Sequence, residues 1–157
     1  MTSSARSYLW RGVQSNARVI QFLLHDLAGD SPRWDARPDP ARFSLREVVA
    51  HLLDYDSVSR ERFERIIRED HPELENWDET EAAEHYEARD PKHQIENLLV
   101  SRQELAVWLE GLSDDEWQRV GSRPNVGEFS VEQGTSLLLG HDAYHLEQIV
   151  AWLEATK

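Results

Sequence analysis

Two histidines four residues apart are the side chains of this sequence best placed to do chemistry. His141 and His145 lie in a segment that is predicted to be helical from about Ser130 to Glu154. Residues at positions i and i+4 share one face of a helix. This face is the apolar one, so both imidazoles would be buried at a cost unless their ring nitrogens find partners. A divalent metal ion would serve both rings, and it would need at least one more ligand.

His51 is the third candidate metal ligand, and it lies in an earlier predicted helix. It falls between Val48 and Tyr55 on the stripe that would face the interior of the protein. One histidine from this helix and two from the last helix therefore have the spacing to meet. Three neutral imidazoles around one divalent ion, with a further position open, are the usual composition of a catalytic site. The remaining histidines are predicted to face solvent: His25, His71, His85 and His93.

Hydrophobic spacing predicts four long amphipathic helices that would position these histidines. Capping boxes mark two of the helix starts, one formed by Ser44 and Glu47 and the other by Ser130 and Gln133. Trp34, in the proline-containing loop after the first helix, is predicted to fold back on the core. The approximate helix ranges are Ser4 to Leu27, Ser44 to Asp70, Pro91 to Leu112 and Ser130 to Glu154.

The connections complete the prediction of the fold. Residues 71–90 are more than a tight antiparallel turn needs, so this segment could cross over between helices that run the same way. A short helix is expected within 79–88, and Ser113 could cap a single turn. No strand-like alternation is found anywhere. The sequence therefore predicts an all-α fold, a four-helix bundle formed by a single domain over residues 1–157.

Composition excludes several classes of partner. The chain has 17 basic and 30 acidic residues, a formal net charge of −13, which repels phosphate backbones and anionic lipid. We therefore expect no nucleic-acid and no membrane partner. The chain has no Cys, which rules out thiolate ligands and a cysteine nucleophile. Neither a signal-peptide core nor a membrane span is recognisable, and this predicts a cytoplasmic protein.

Two short motifs give the sequence a resemblance to a known family. One is Ser-x-x-Glu followed by His-Leu (Ser44, Glu47, His51, Leu52), and the other is His-x-x-x-His-Leu-x-Gln-Ile (141–149). With these motifs, its helix number and its length, the chain resembles the DinB/YfiT-like superfamily. The resemblance implies an up-down-down-up four-helix bundle. It also implies a divalent metal (zinc, nickel or iron) held by the three residues His51, His141 and His145.

The resemblance further implies a function. Characterised members include thiol S-transferases that use bacillithiol or mycothiol, and a mycothiol-dependent maleylpyruvate isomerase. We therefore expect a divalent-metal-dependent enzyme, a transferase that brings a low-molecular-weight thiol to a small electrophile. The lack of Cys is compatible with this, because the reacting sulfur would arrive with the small-molecule ligand. Two alternatives are a non-catalytic metal-binding or stress-response bundle, and a bundle whose histidines merely pack in the core.

Two other kinds of metalloenzyme are disfavoured. The segment from His141 to His145 is similar to the zincin motif His-Glu-x-x-His, but Asp142 stands where the general-base Glu should be. Aspartate is one methylene shorter and would reach a reacting water less well. A di-iron carboxylate bundle needs Glu-x-x-His on two helices, and no histidine here has Glu three residues before it.

Residues that could support the metal ligands are predicted from helical spacing, while the catalytic residues stay unassigned. Asp54 and Tyr55 follow His51 by three and four residues, and Gln148 follows His145 by three; with Asp142, they could hold a ring N–H or line the open position. Relatives often form dimers, so the resemblance implies a homodimer. The off-stripe residues Leu137 and Leu139 could form its interface or pack on a neighbouring helix.

Overall fold

Four long helices and two short ones build the protein. The computed structural model describes residues 1–157. The elements are α1 (Ser3–Leu24), a 3₁₀ turn (Pro32–Trp34), α2 (Leu45–Arg68), α3 (Glu79–Ala83), α4 (Pro91–Glu110), α5 (Asp114–Gln118), β1 (Val120–Arg123), β2 (Gly127–Ser130) and α6 (Val131–Ala155). The predicted all-α bundle is confirmed, with α1, α2, α4 and α6 as its long helices.

Contacts between the long helices fix their directions. Each of α1 and α2 packs against both α4 and α6. In contacts between α1 and α6, and between α2 and α4, the residue numbers of both helices increase together, so each of these pairs is parallel. In contacts between α1 and α4, and between α2 and α6, the numbers increase in one helix as they decrease in the other, so these pairs are antiparallel. The defining pairs are Arg6–Glu132, Asn16–Asp142, Asp56–Arg102, Arg60–Trp108, Val13–Arg102, Leu24–Lys92, His51–His141 and Phe63–Gly134. The order is therefore up-down-down-up, and residues 69–90 cross over between the parallel helices α2 and α4.

The helix starts form as the side chains predict. Ser44 caps α2 by accepting from the Glu47 backbone N–H, while the Glu47 carboxylate accepts from the Ser44 N–H at 2.7 Å. Ser130 and Gln133 form the same reciprocal arrangement at the start of α6. These boxes satisfy N–H groups that a helix leaves unpaired at its first turn. They fix where α2 and α6 begin, and hence which residues of each helix face the other.

The prediction that the chain contains no strand is wrong. Residues 120–123 pair antiparallel with residues 127–130; the backbone is left-handed at Asn125 in the turn and at Gly127, the first residue of β2. Neither strand alternates in the way a half-buried strand does, which is why the pattern was not visible in the sequence. The hairpin is held instead by backbone bonds to the crossover segment, from Leu74 N to Ser122 O and from Ser122 N to Pro72 O.

The burial of individual side chains tests the predictions for Trp34, Leu137 and Leu139. Trp34 is fully buried, as predicted. Leu139 contacts Gly12 of α1 and is partly buried, so it serves the interior of the bundle and not a free surface, whereas Leu137 is exposed. None of the helices combines the length and the apolarity that crossing a bilayer requires.

Candidate metal centre

The three predicted histidines meet between α2 and α6. His51 lies in the second turn of α2, and His141 and His145 lie one turn apart on the facing side of α6. The ring nitrogens that each offers lie within 4.8 Å of one another. The two Nε2 atoms of His51 and His141 are 2.9 Å apart. His51 and His145 are buried and His141 is half-buried, so the cluster is formed by the packing of the two helices.

The tautomer of His145 is fixed by Gln148. The Gln148 amide Nε2 donates to the Phe43 carbonyl at 2.7 Å, so its Oε1 must face His145 Nδ1, 3.1 Å away. An amide oxygen only accepts, so His145 carries its proton on Nδ1. The lone pair on Nε2 is then directed into the cluster, as a metal ligand requires.

The His51–His141 pair is incomplete without a cation. Two neutral imidazoles that face each other through Nε2 can form only one hydrogen bond, and the Nδ1 atoms of both rings are buried without a partner. A cation at Nε2 would leave both Nδ1 groups as they are, so it is the close approach of the two Nε2 atoms that indicates a cation. A divalent cation shared by the three Nε2 atoms would replace the unfavourable pairing. The donor set, three imidazoles with no thiolate, suits zinc, nickel or iron.

Aromatic rings hold two of the histidines in orientation. Tyr55 stacks on His141 with ring centroids 4.1 Å apart, and Trp77 stacks on His51 at 5.6 Å. Trp77 belongs to the crossover segment, so the connection between α2 and α4 forms one wall of the site. These contacts restrict the ring rotations that would separate the nitrogens.

Electrostatics keep the imidazoles neutral. Burial, reinforced by the His145 and His141 rings, lowers the pKa of His51 from 6.5 to about 3. Burial likewise lowers the pKa of His141 to about 3, with His145 and then Arg102 adding to the shift. The pKa of His145 is also lowered, mainly by burial. Neutral imidazole is the form that binds a metal ion, so at physiological pH the three rings are already in the protonation state that metal binding requires.

These shifted pKa values predict how stability depends on pH in the metal-free protein. Between the unfolded pKa of 6.5 and the folded value of about 3, the unfolded chain binds more protons at His51 and His141. Stability is therefore lost as the pH falls. At about pH 5, each of the two should lower the free energy of unfolding by about 2 kcal/mol relative to neutral pH. Chemical denaturation of chelator-treated protein at both pH values measures the loss.

A matched pair of variants isolates this effect. His51→Asn should lose about 2 kcal/mol less than the wild type between neutral pH and about pH 5. His93→Asn, at an exposed histidine, should lose as much as the wild type. Equal losses in all three proteins would show that the buried rings do not set the pH dependence.

The cluster opens onto a cavity of about 270 Å³, which we call the histidine cavity. Its walls come from α2 and the segment before it, from α3 and from α6. Arg42 lies at its edge between the rings of Tyr144 and Trp152, with its charge 4.8 and 5.1 Å from their centroids. The lining residues are Ala41, Arg42, Phe43, His51, Glu79, His141, Tyr144, His145 and Gln148. A small molecule can therefore approach the three histidines from one side.

Two of the predicted supporting residues are directed elsewhere. Asp54 forms a two-pronged ion pair with Arg89, at 2.6 and 3.0 Å. Asp142 forms one with Arg102, at 2.6 and 2.7 Å, on the side of α6 away from the cavity. Neither carboxylate is a hydrogen-bond partner of a histidine ring. Helical spacing from a histidine gives proximity along the helix, but the direction of each carboxylate is set by an arginine from another segment, Arg89 before α4 for Asp54 and Arg102 of α4 for Asp142. Tyr55 and Gln148, by contrast, do contact the cluster.

The ion pair of Asp142 also argues against a role as a zincin-like general base. Asp142 is fully buried, and both of its carboxylate oxygens already accept hydrogen bonds from the Arg102 guanidinium group. The four histidines outside the cluster are exposed, as predicted.

Three contributors to the site were not predicted from the sequence. They are the Phe43 carbonyl that orients Gln148, the Trp77 ring that stacks on His51, and Arg42 at the edge of the cavity. Phe43 and Arg42 directly precede the capping box of α2, a position that faces the end of α6. That adjacency is the only signal in the sequence that could have indicated them.

Comparison with known proteins gives three similarities. Residues 15–149 match the family model described as the DinB superfamily. A protein of Oceanobacillus iheyensis named "Putative metal-dependent hydrolase" is 26% identical over 140 residues, which are 88% of this chain and 80% of that protein. The fold is similar to that of YfiT from Bacillus subtilis, with a TM-score of 0.89 and 18% identity over 99% of this chain and 89% of that one. YfiT is described as a probable metal-dependent hydrolase with an unusual four-helix bundle topology.

Proposed function

The chain belongs to the DinB superfamily, and we propose that it is a divalent-metal-dependent enzyme that activates a small nucleophile at the three-histidine cluster. The observation that carries this proposal is the convergence of ring nitrogens from two helices on one point beside an open cavity. A site that only stabilised the fold would be closed on all sides. The names of the similar proteins, both described as metal-dependent hydrolases, support the dependence on metal.

Each residue of the cluster has a role in this proposal. His51, His141 and His145 would hold the ion through Nε2. A divalent ion there supplies Lewis acidity, which lowers the pKa of a bound acid such as water or a thiol. Gln148 keeps the His145 proton on Nδ1, and the stacked rings of Tyr55 and Trp77 hold the other two imidazoles in place. The cavity walls limit the substrate to a small molecule.

A low-molecular-weight thiol is the nucleophile that the cavity favours. Hydrolysis at such a centre commonly uses a carboxylate as general base beside the reacting water. Asp142 is bound to Arg102, and Glu79, the one carboxylate that lines the cavity, is exposed at its edge. A thiol that has lost its proton needs no base to attack an electrophile. The proposed reaction is therefore attack of the thiolate on a small electrophile: a new bond forms between the sulfur and an electrophilic carbon, the displaced electron pair leaves with a departing group or stays on the electrophile, and the thiol's proton passes to that anion or to solvent. Hydrolysis is the second candidate because of the names of the two similar proteins.

A non-catalytic metal-binding bundle is the other class of function. It would use the same three histidines but would need no access for a substrate. The open side of the histidine cavity favours the enzyme. The two classes differ in turnover, and not in metal content, so a single set of proteins can separate them.

The test is a rate measurement on tag-free protein loaded with Zn²⁺ or Ni²⁺. A model electrophile is supplied with each of several low-molecular-weight thiols, and a model ester is supplied with water alone. We expect conjugation at least about tenfold above the uncatalysed rate, lost in His51→Ala and kept in His85→Ala. Ester cleavage without thiol conjugation would favour the hydrolase. Bound metal with neither reaction would favour the non-catalytic bundle, and equal rates in both variants would overturn the proposal.

A further inference from the structure

A second cavity lies on the far side of the rings that support the histidines. It has a volume of about 350 Å³, and we call it the arginine cavity after Arg62 and Arg123 in its wall. Tyr55 and Trp77, which stack on His141 and His51, also line it. Glu79 lines both cavities. The two spaces therefore lie side by side, separated by two aromatic rings and one glutamate.

Neither arginine of this cavity has a carboxylate partner. Arg62 on α2 is 8% exposed, and its one hydrogen bond goes from Nη2 to the Glu75 carbonyl at 3.1 Å. The Nε of Arg123 is buried without any partner. Burial lowers the pKa of Arg62, and repulsion from Arg123 lowers it further; together they outweigh the opposite effects of Tyr55, Glu61 and Glu79. Two guanidinium groups thus repel each other in one partly buried space.

This arrangement is unusual in a chain with a net charge of −13. Acidic residues outnumber basic ones, and other arginines of α2 form ion pairs with them: Arg65 pairs with Glu69 and Arg60 with Glu64. Where carboxylates are plentiful, two arginines that line one cavity without a carboxylate partner are available for an external anion.

The rest of the wall is also rich in donors. Tyr55, Asn76, Trp77 and Asn125 also line this cavity. Each carries a hydrogen-bond donor, a hydroxyl, an indole N–H or an amide N–H, that is not used within the protein. Glu79 is the only carboxylate in the wall. Such an excess of unpaired donors, with the planar forks of two arginines, is complementary to a carboxylate or a phosphate.

We propose that the arginine cavity is a binding site for an oxyanion, a carboxylate or a phosphate, carried by a small molecule. Its position beside the histidine cavity suits a substrate or co-substrate whose reacting atom lies at the histidines and whose anionic end lies between Arg62 and Arg123. The anion site stands on the two arginines and the surrounding donors alone. Its use by a substrate rests on the proposed function.

The β1–β2 hairpin, which the sequence pattern did not predict, positions Arg123 and so explains why this site was not predicted either. Arg123 is the last residue of β1, and the backbone bonds between Ser122 and residues 72–74 bring it against α2. A Cβ at Gly121, two residues before Arg123, would lie 2.9 Å from Ile66 Cγ1 and 3.0 Å from the Pro72 carbonyl oxygen. Glycine thus allows the strand to approach α2 closely enough to place Arg123 opposite Arg62.

The test is calorimetric titration of metal-free protein with inorganic phosphate and, separately, with succinate. Metal-free protein is used so that an ion at the histidines cannot bind the anion itself. We expect saturable binding of at least one of the two, weakened about tenfold or more by Arg123→Gln. Arg68→Gln is the matched control, because it removes the same charge from an exposed position on α2 outside the cavity. It should change the affinity less than about twofold.

The two titrants and two further variants make the outcome decisive. Preferential binding of phosphate or of succinate identifies the kind of anionic group. Arg123→Lys, which keeps the charge but loses the fork, should fall between the wild type and Arg123→Gln. His51→Ala should bind the anion normally while it loses metal, so failure of the metal centre and failure of the anion site are distinguishable. Absence of saturable binding, or equal weakening by Arg123→Gln and Arg68→Gln in folded proteins, would overturn the proposal.

Discussion

Replacing His51 by alanine is expected to weaken the binding of Zn²⁺ or Ni²⁺ by more than about 100-fold. His51 is the only ligand that α2 contributes, and without it the two histidines of α6 would have to hold the ion alone. The wild-type protein should also gain about 2.7 kcal/mol of stability at a metal concentration 100 times Kd, a gain that the variant should not show. Metal analysis of tag-free protein and melting curves with added metal measure both effects.

His85→Ala is the matched control for this experiment. His85 is exposed in the connection after α3, so its loss should leave both metal content and stabilisation unchanged. Gln148→Leu gives an intermediate case. It removes the acceptor that keeps the His145 proton on Nδ1, and loss of such a supporting contact typically costs about 10- to 100-fold in metal affinity. If His51→Ala and His85→Ala bind metal alike, the three histidines do not form a metal centre.

Much of the fold and of the centre was predictable because local side-chain chemistry determines it. Capping boxes at Ser44 and Ser130 set the starts of α2 and α6, and the helical period then determines which residues face inward. His51 and the pair on α6 were found because a polar residue on an apolar stripe requires an explanation. Burial of these stripes between antiparallel helices is sufficient to bring the three rings together.

What could not be predicted depends on pairing between distant segments. The hairpin of residues 120–130 is held by backbone bonds to residues 72–74, which no periodicity reveals. The same is true of Asp142, whose direction is determined by an arginine of α4. Arg102 itself carried a signal, since it lies between Leu98 and Leu105 on the inward stripe of its helix. The reasoning that identified His51 would have placed a buried charge there, although it could not have identified the partners.

Replacing Arg102 by methionine is expected to destabilise the protein by about 3–5 kcal/mol. Arg102 is completely buried and binds carboxylates from two other helices, with Nε 2.6 Å from Asp56 and Nη1 2.6 Å from Asp142. Its Nη1 also donates to the Val13 carbonyl of α1 at 3.3 Å. One guanidinium group thus links all four long helices. Methionine fills similar volume but leaves two buried carboxylates without their cation, a large loss for a domain with about 5–15 kcal/mol of stability.

Chemical denaturation of Arg102→Met and of two further variants can test whether unpaired buried carboxylates cause the loss of stability. Arg60→Met removes a half-exposed arginine that pairs with Glu64 and lies over Trp108, and it should cost less than about 1 kcal/mol. The triple variant Arg102→Met with Asp56→Leu and Asp142→Leu removes the orphaned charges as well. It should regain most of the stability lost in the single variant, because well-packed apolar groups can replace a buried ion cluster. A cost below about 1 kcal/mol for Arg102→Met, or a triple variant no more stable than the single one, would show that unpaired buried charge is not the cause.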